Sequence, residues 1–427
     1  MPSRVSLPVE LYRPIAENVD PVSPNALAQM DIEGNWSGAR TLLNLSCVSK
    51  AWRPEAQRRL WSSIAISFIT EDLKMDLALK IGLGERLSKR KKRFRGIIKK
   101  LEIMLSQGHT QHLRYLQLSL GDLQSRAAQS ILPRDIIARI SKIMEEAKDL
   151  QGLYVDCLRT PYQIEMVTKH TFPALEQLMI VIKRGTLDGP QPSQGHDIDF
   201  CSFLLRHPSV VELKIYDFVF DESRYEVSSS QPLLPVLRSF SGAVLTAKLL
   251  GQQQESLRTV TLRLKPFSSG SISAWAQSHI GGPFTGVHTL SFPDVSFPIL
   301  DTSFLTWVGR SFPNIVKLEG LRLSLSMINA LLSDPESMEK HLPTLKKLVV
   351  VTQKSLRQDN VSADDLKRAM RRLPCIFPSI EMCIQHSGCG EDACKMTMAY
   401  GEDGRVVDLK VESLYTPSLN LLNLMMM

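Results

Sequence analysis

The residues best suited to bind a metal are four cysteines and a histidine in the C-terminal part of the chain: Cys375, Cys383, His386, Cys389 and Cys394. Zinc prefers thiolate and imidazole ligands, and its strongest sequence signatures contain cysteine pairs with C-x2-C spacing. Here the cysteines are separated by seven, five and four residues. Cys383 also lies in the strand-like segment IEMCIQ, where it fits as a small buried apolar residue. We therefore predict no metal site and no cofactor.

Sequence motifs of common catalytic sites are also missing. The sequence contains no phosphate-binding loop, dinucleotide fingerprint, G-x-S-x-G or H-E-x-x-H motif. The segment GLGERL at Gly82 lacks a third glycine and a preceding strand, and His109 and His112 have no third metal ligand near them in the sequence. We expect that the protein is not an enzyme.

The overall composition, with 43% hydrophobic and 22% charged residues, is that of a soluble globular protein. No run of 18 consecutive apolar residues occurs, so we expect no transmembrane helix and no membrane partner. Glu10, Glu17 and Asp20 would interrupt the apolar core of a secretory signal. The seven cysteines are mostly scattered and odd in number, which is typical of reduced thiols. The predicted location is cytoplasmic, nuclear or both.

The positive charge of the chain is concentrated in one segment. Residues 85–100 contain nine basic residues and one acidic residue, a net charge of +8, so the rest of the chain carries −1 of the total +7. Apolar residues recur there at helical spacing, which predicts an amphipathic helix. The basic patch is a solvated helix face, a nuclear-localisation or acidic-partner site, or, least favoured, a nucleic-acid site, because it has one adjacent aromatic residue and no nucleic-acid motif. Its residues are Lys89, Arg90, Lys91, Lys92 and Arg93.

Three short helices are predicted before this segment. Residues 7–19 form the first, and residues 20–40 form a loop rich in proline and glycine. A second helix begins with Thr41 as its N-cap, and a third contains Pro54 in its first turn. Fewer than sixty residues bury too little apolar surface to be stable alone. We expect these helices to cap the following domain or to bind a partner.

The combination LPVEL, a downstream isoleucine, LLNLSCVSKAW and a closing LW resembles the F-box, especially that of fungal F-box proteins. The family usually joins its first two helices by a few residues, whereas here residues 20–40 intervene. The resemblance implies docking on the Skp-family adaptor of a cullin–RING ubiquitin ligase. The matching residues, some of which must instead form the core of the helices, are Leu7, Pro8, Glu10, Leu11, Ile15, Leu42, Leu45, Val48, Lys50, Trp52, Leu60 and Trp61.

The remaining sequence repeats one pattern, a bulky residue and proline followed by spaced apolar residues. The copies are FPALEQLMI, HPSVVELKI, LPVLRSFSG, FPNIVKLEG, LPTLKKLVV and FPSIEMCIQ, with degenerate copies HLRYLQLSL, LQGLYV, LRTVTLRL and VHTLSF. Helical segments precede most copies, with Asp197, Asp301 and Ser362 as predicted N-caps. An irregular period of about 20–37 residues indicates a solenoid. It resembles a divergent leucine-rich-repeat array whose Asn/Cys ladder position is irregular.

The predicted fold is therefore α/β, with an N-terminal three-helix F-box module followed by an irregular leucine-rich-repeat-like α/β solenoid. We expect the module in residues 1–63, a basic connector and first repeat in 64–112, the solenoid in 113–415 and a tail in 416–427. The resemblance implies a substrate-receptor subunit of an SCF-type ubiquitin ligase that binds the Skp-family adaptor, through it a cullin, and an unknown protein substrate. The alternatives are a non-ubiquitin interaction scaffold and, less favoured, a basic nuclear protein associated with nucleic acid.

Overall fold

The fold of the chain is given by a computed structural model. The structure describes residues 11–19, 37–48, 50–67, 83–119, 134–158, 161–182, 200–216, 233–243, 246–247, 250, 255–263, 280, 282–293, 299–323, 325–334, 339–352, 363–387, 393–400 and 406–414. The chain divides into two compact units, Met1–Asp217 and Phe218–Met427. Both are mixed α/β, as predicted, with strands that are mostly parallel.

In its described residues, the first unit consists of helices and five strands that alternate after a helical start. Its described helices are α1 (Tyr12–Glu17), α2 (Ser37–Val48), α3 (Arg53–Leu60), α4 (Leu83–Ser106), α5 (Arg134–Glu146), α6 (Pro161–Thr168) and α7 (Phe200–Leu205). Its described strands are β1 (Ser63–Ser67), β2 (Tyr115–Ser119), β3 (Gly152–Leu158), β4 (Gln177–Ile182) and β5 (Glu212–Tyr216).

These five strands pair in chain order, each parallel to the next. The register aligns one aliphatic residue from each strand in a continuous row: Ile64, Leu116, Leu153, Leu178 and Leu213. Because successive side chains of a strand point to opposite faces, this row lines one face of the sheet. The last four members of the row are buried, so this face forms the core.

The second unit also contains a mostly parallel sheet. Its described helices are α8 (Thr302–Ser311), α9 (Leu325–Ser333) and α10 (Ala363–Arg371). Its described strands are β6 (Ser239–Ala243), β7 (Thr259–Arg263), β8 (Thr289–Ser291), β9 (Ile299–Leu300), β10 (Lys317–Leu323), β11 (Lys347–Thr352), β12 (Met382–Ser387), β13 (Ala393–Tyr400) and β14 (Val406–Leu414). The order is β6-β7-β8-β10-β11-β12-β13-β14, and β9 pairs with β10.

The repeated sequence pattern has a consistent structure. Each of the ten predicted copies contains a strand. In nine of them a two-residue turn is followed by a fully buried aliphatic residue, which anchors the start of the strand in the core. These residues are Leu150, Leu175, Val210, Leu237, Leu257, Val287, Ile315, Leu345 and Ile380.

Hydroxyl groups in three of these turns bond to the turn before them. Ser209 Oγ donates to the carbonyl of Leu175 at 2.8 Å, and Ser256 Oγ donates to the carbonyl of Leu237 at 2.9 Å. Thr344 Oγ1 likewise donates to the carbonyl oxygen that follows the preceding turn, at 2.8 Å. We call Ser209, Ser256 and Thr344 the turn hydroxyls. They connect successive repeats, although the Asn/Cys ladder position of leucine-rich repeats is irregular in this sequence.

Several helix boundaries test the capping predictions. Asp301 caps α8, since its side chain accepts a hydrogen bond from Phe304 N–H at 2.7 Å. Pro54 lies in the first turn of α3, as predicted. Thr41 is not an N-cap, because α2 already begins at Ser37 and the helix-favouring Ala39 and Arg40 extend it by one turn. Asp197 and Ser362 lie outside the described residues.

The last two strands depart from the predicted repeat. β13 pairs antiparallel with β12, and β14 pairs antiparallel with β13. This region was predicted to continue the helix–turn–strand repeat, but a hairpin ends the sheet. Alternating residues in β14, with Leu409 and Val411 between charged neighbours, favour an antiparallel strand with one solvated face.

Candidate functional site

The first three helices have a core of their own. Ala16 of α1, Leu42 of α2 and Ala56 of α3 are fully buried in one cluster. Val19, Leu45 and Leu60 pack against this cluster and are partly buried. The alanines carry small side chains, so the helices can approach closely. We call α1, α2 and α3 the helical module.

Trp52 belongs to the interior of the helical module. Its ring lies against that of Tyr12, with a centroid distance of 4.4 Å and an interplanar angle of 38°. Only 8% of Trp52 is exposed. Trp52 was predicted to face either the core or a partner; the structure places it in the core, because Tyr12 covers it.

Arginines of α3 connect it to α1. Arg58 Nη2 lies 3.0 Å from Glu17 Oε1, and Arg58 Nε lies 2.9 Å from Glu55 Oε2. Arg59 Nε donates to the carbonyl of Val19 at 3.3 Å. Hydrogen bonds from Arg13 and Arg58 hold the pKa of Glu17 below its usual value. These two arginines therefore hold α3 against α1 and the segment that follows it.

Apolar side chains that the helical module does not bury concentrate in α1 and α2. In the described part of the chain, five large hydrophobic residues are strongly exposed, and three of them belong to the module. Leu11 is 42% exposed, Ile15 37% and Leu43 53%. Leu11 and Ile15 are four residues apart and therefore lie on one side of their helix. We call Leu11, Ile15 and Leu43 the exposed apolar residues.

The structure divides the predicted adaptor-binding residues into surface and core. Leu11, Ile15 and Lys50 are exposed, whereas Leu42 is fully buried. Leu42 therefore serves the core, because a partner cannot reach it without unfolding the helices. Leu7, Pro8 and Glu10 lie outside the described residues, as does the side chain of Val48. The sequence prediction missed Leu43, although adjacent leucines in a short helix cannot both face one core.

Trp61 joins the helical module to the sheet of the first unit. Its ring stacks on His109, with centroids 4.6 Å apart and an interplanar angle of 13°. Burial, and secondarily the nearby His112, lower the pKa of His109. The carbonyl of Ser62 accepts hydrogen bonds from the backbone N–H groups of Arg114 and Tyr115, both at 2.9 Å. The module thus continues directly into β1 and β2.

The predicted basic patch lies in α4. This helix has the predicted amphipathic form, with Leu101 and Met104 buried and Lys99 and Lys100 exposed. Glu102 of α4 pairs with Arg139 of α5 at 2.7 Å. The side chains of residues 89–93 lie outside the described set, so the role of the patch stays a prediction.

The cysteine and histidine candidates are placed as follows. Cys383 is buried in β12, with its thiol donating to Met370 Sδ at 3.8 Å, and Cys375 is half-buried. Cys394 lies in β13 opposite Gln385, and Cys389 falls outside the described residues. Among the residues whose placement is described, no group of three or more His, Cys, Asp or Glu is arranged to hold a metal ion.

Within the described ranges, no helix has both the length and the apolar character required to cross a membrane. A scan against protein-family models found no matching family. A search of curated proteins found no significant match.

Proposed function

We propose that this chain is a substrate-receptor subunit of an SCF-type cullin–RING ubiquitin ligase. In this proposal the helical module is an F-box that docks on the Skp-family adaptor, and through it on a cullin. The following α/β repeats form a leucine-rich-repeat-like solenoid that binds a protein target. The chain itself has no catalytic role, since ubiquitin transfer is supported by the RING protein of the ligase. We expect a cytoplasmic or nuclear location.

The exposed apolar residues carry this proposal. A helical module that already has a core gains nothing by leaving Leu11, Ile15 and Leu43 in water. Burying one such side chain against a partner contributes about 1.5–3 kcal/mol. Their position beside the sequence features that resemble an F-box supports a helix-in-groove contact with the adaptor.

The repeats support the second half of the proposal. Strands that pair in chain order, linked by recurring turns and turn hydroxyls, are what a solenoid requires. Such an array offers an extended strand face to a protein partner. The stacking of Trp61 on His109 would hold the adaptor-binding helices fixed relative to the first strands.

The test is adaptor binding by the full chain. The double variant Leu11→Glu, Ile15→Glu places two charges where apolar contacts are proposed. We expect its affinity for a purified Skp-family adaptor, measured by calorimetry, to fall by at least about tenfold, since one buried leucine is worth more than 1.4 kcal/mol. Circular dichroism should show an unchanged fold, because both side chains are exposed in the free protein.

The control is Leu205→Glu, which changes another exposed leucine of the first unit, in α7. It should bind the adaptor like the wild type. Trp52 is unsuitable as a target, because its loss would disturb the core. A wild-type chain that does not bind the adaptor would favour the interaction-scaffold alternative, and equal binding by the double variant would exclude the exposed apolar residues as the docking site.

A further inference from the structure

The sheet of the second unit has one apolar face and one polar face. Phe240, Val260, Leu290, Leu318 and Leu348 align in register and are buried. The residues immediately before them point to the opposite side, because side chains alternate along a strand. They form a second row across five adjacent strands, which we call the polar row: Ser239, Thr259, Thr289, Lys317 and Lys347.

The polar row is accessible. All five of its residues are partly exposed. The corresponding face of the first unit is different, since Tyr154, Met179 and Val181 are buried there in an apolar cluster. Lys214, which lies on that face of the first unit, is paired with Glu212, with Nζ 2.8 Å from Oε1.

Two lysines lie side by side in the polar row. Lys317 of β10 and Lys347 of β11 are register partners on adjacent parallel strands. Neighbouring strands are about 4.8 Å apart, and like charges at such positions repel each other. This repulsion is relieved when an anion lies between or above the two ammonium groups.

Only one of the two lysines has its charge compensated. Lys317 Nζ lies 2.6 Å from Glu319 Oε1, two residues further along the same strand. Lys347 forms no ion pair with any residue that the structure describes. The corresponding position on its own strand is Val349, and its register partner on β12 is Met382. Lys347 is thus a partly exposed cation, and the acidic side chain beside it on β10, that of Glu319, is already paired with Lys317.

We propose that the polar row binds an extended acidic segment of the target protein. A carboxylate of that segment lies against Lys347 and Lys317, and the hydroxyls of Ser239, Thr259 and Thr289 donate hydrogen bonds to further acidic or main-chain oxygens. Five strands span about 19 Å, which matches about six residues of extended chain. This inference rests on the proposed function, because it specifies the chemistry of the target.

The experiment measures binding of the full chain to a fluorescein-labelled peptide of alternating glutamate and serine, by fluorescence anisotropy. The same measurement is made in a background whose residues 89–93 are replaced by glutamine, which separates binding to α4 from binding to the sheet. In both backgrounds Lys347→Gln should weaken binding by about fivefold, the effect of losing one partly exposed charge contact. Lys347→Arg should retain binding, since it keeps the charge.

The matched control is Lys346→Gln. This variant removes the same charge one residue away, from a lysine that is already paired with Glu381 at 2.8 Å. Its affinity for the peptide should stay within about twofold of the wild-type value, since exposed pairs contribute little. A peptide of alternating lysine and serine should not bind the polar row.

Adaptor binding is measured on the same preparations, which keeps the two proposals distinguishable. If Lys347→Gln and Lys346→Gln weaken peptide binding equally, or if glutamine at residues 89–93 alone abolishes it, the acidic segment does not bind the polar row. If the adaptor binds normally in that case, the proposed function stands without this target chemistry. Specific peptide binding without adaptor binding would overturn the proposed function instead.

Discussion

In one repeat, His207 occupies the position before the turn that is phenylalanine in several other repeats. Its ring adds a hydrogen bond to the preceding repeat. His207 is fully buried directly before its turn, where other copies have Phe172, Phe284, Phe312 and Phe377. Its Nδ1–H donates to the carbonyl of Phe203 at 2.6 Å, and its Nε2 accepts from Phe172 N–H at 2.9 Å. Both ring nitrogens are used only when the ring is neutral.

We predict that His207 makes the stability of the protein sensitive to acid. Burial, and secondarily Arg206, lower its pKa below 6.5, while the carbonyl of Phe203 opposes this change. Below pH 6.5 the unfolded chain binds a proton that the folded chain does not. The free energy of unfolding therefore decreases as the pH is lowered, until the pH reaches the pKa of His207 in the folded protein. The slope is at most about 1.4 kcal/mol per pH unit.

The effect is measured by urea unfolding of the wild type and of His207→Phe at a series of pH values from neutral to well below 6.5. The quantity compared is the free energy of unfolding at each pH. The variant should be less stable at neutral pH by about 1–3 kcal/mol, because Phe172 N–H loses its acceptor, but should lose less stability on acidification. His288→Phe removes an exposed histidine and should keep the wild-type pH dependence. Parallel pH curves for the wild type and His207→Phe would contradict the assignment.

At the scale of the element, the turn hydroxyls hold successive repeats together. We predict that Ser209→Ala, Ser256→Ala and Thr344→Val each lower the free energy of unfolding by about 0.5–1.5 kcal/mol. Each removes one partly buried hydrogen bond and leaves a carbonyl oxygen with one partner fewer. Chemical denaturation of each variant measures this loss.

The chain contains a matched control for this prediction. Ser379 occupies the same turn position after Pro378, yet it is exposed, and its hydroxyl bonds to no described residue. Ser379→Ala should change stability by less than about 0.5 kcal/mol. If all four substitutions had the same small effect, the bonds between turns would not stabilise the array.

The repeats could be predicted from the sequence because their signals are local. A proline marks the turn in six copies, and spaced apolar residues define the strand in all ten, so every predicted copy contains a strand. The turn hydroxyls were missed because their acceptors lie 19–34 residues earlier in the chain. The final hairpin was missed because the repeat pattern was extended over β13 and β14, whose own alternation was the better signal.

The candidate docking residues could be predicted only as a group. Helical spacing finds one apolar side of each helix, but a side that faces a core and a side that faces a partner have the same spacing. Trp52 is assigned to the core by Tyr12, forty residues earlier in the sequence. Ile15 and Leu43 are each adjacent to a buried residue, Ala16 and Leu42, so their exposure depends on how three helices pack.

At the scale of the whole molecule, the positive charge is local. The net charge of the whole chain is +7 and that of residues 85–100 alone is +8, so most of the attraction to a dense polyanion such as heparin should arise from α4. We predict that replacing residues 89–93 with glutamine, which lowers the net charge to +2, makes the full chain elute from heparin at much lower salt. Its adaptor affinity should be unchanged, because the proposed docking contacts of Leu11, Ile15 and Leu43 are apolar. Unchanged heparin elution would place the polyanion-binding charge elsewhere, and weakened adaptor binding would make the basic patch part of the docking surface.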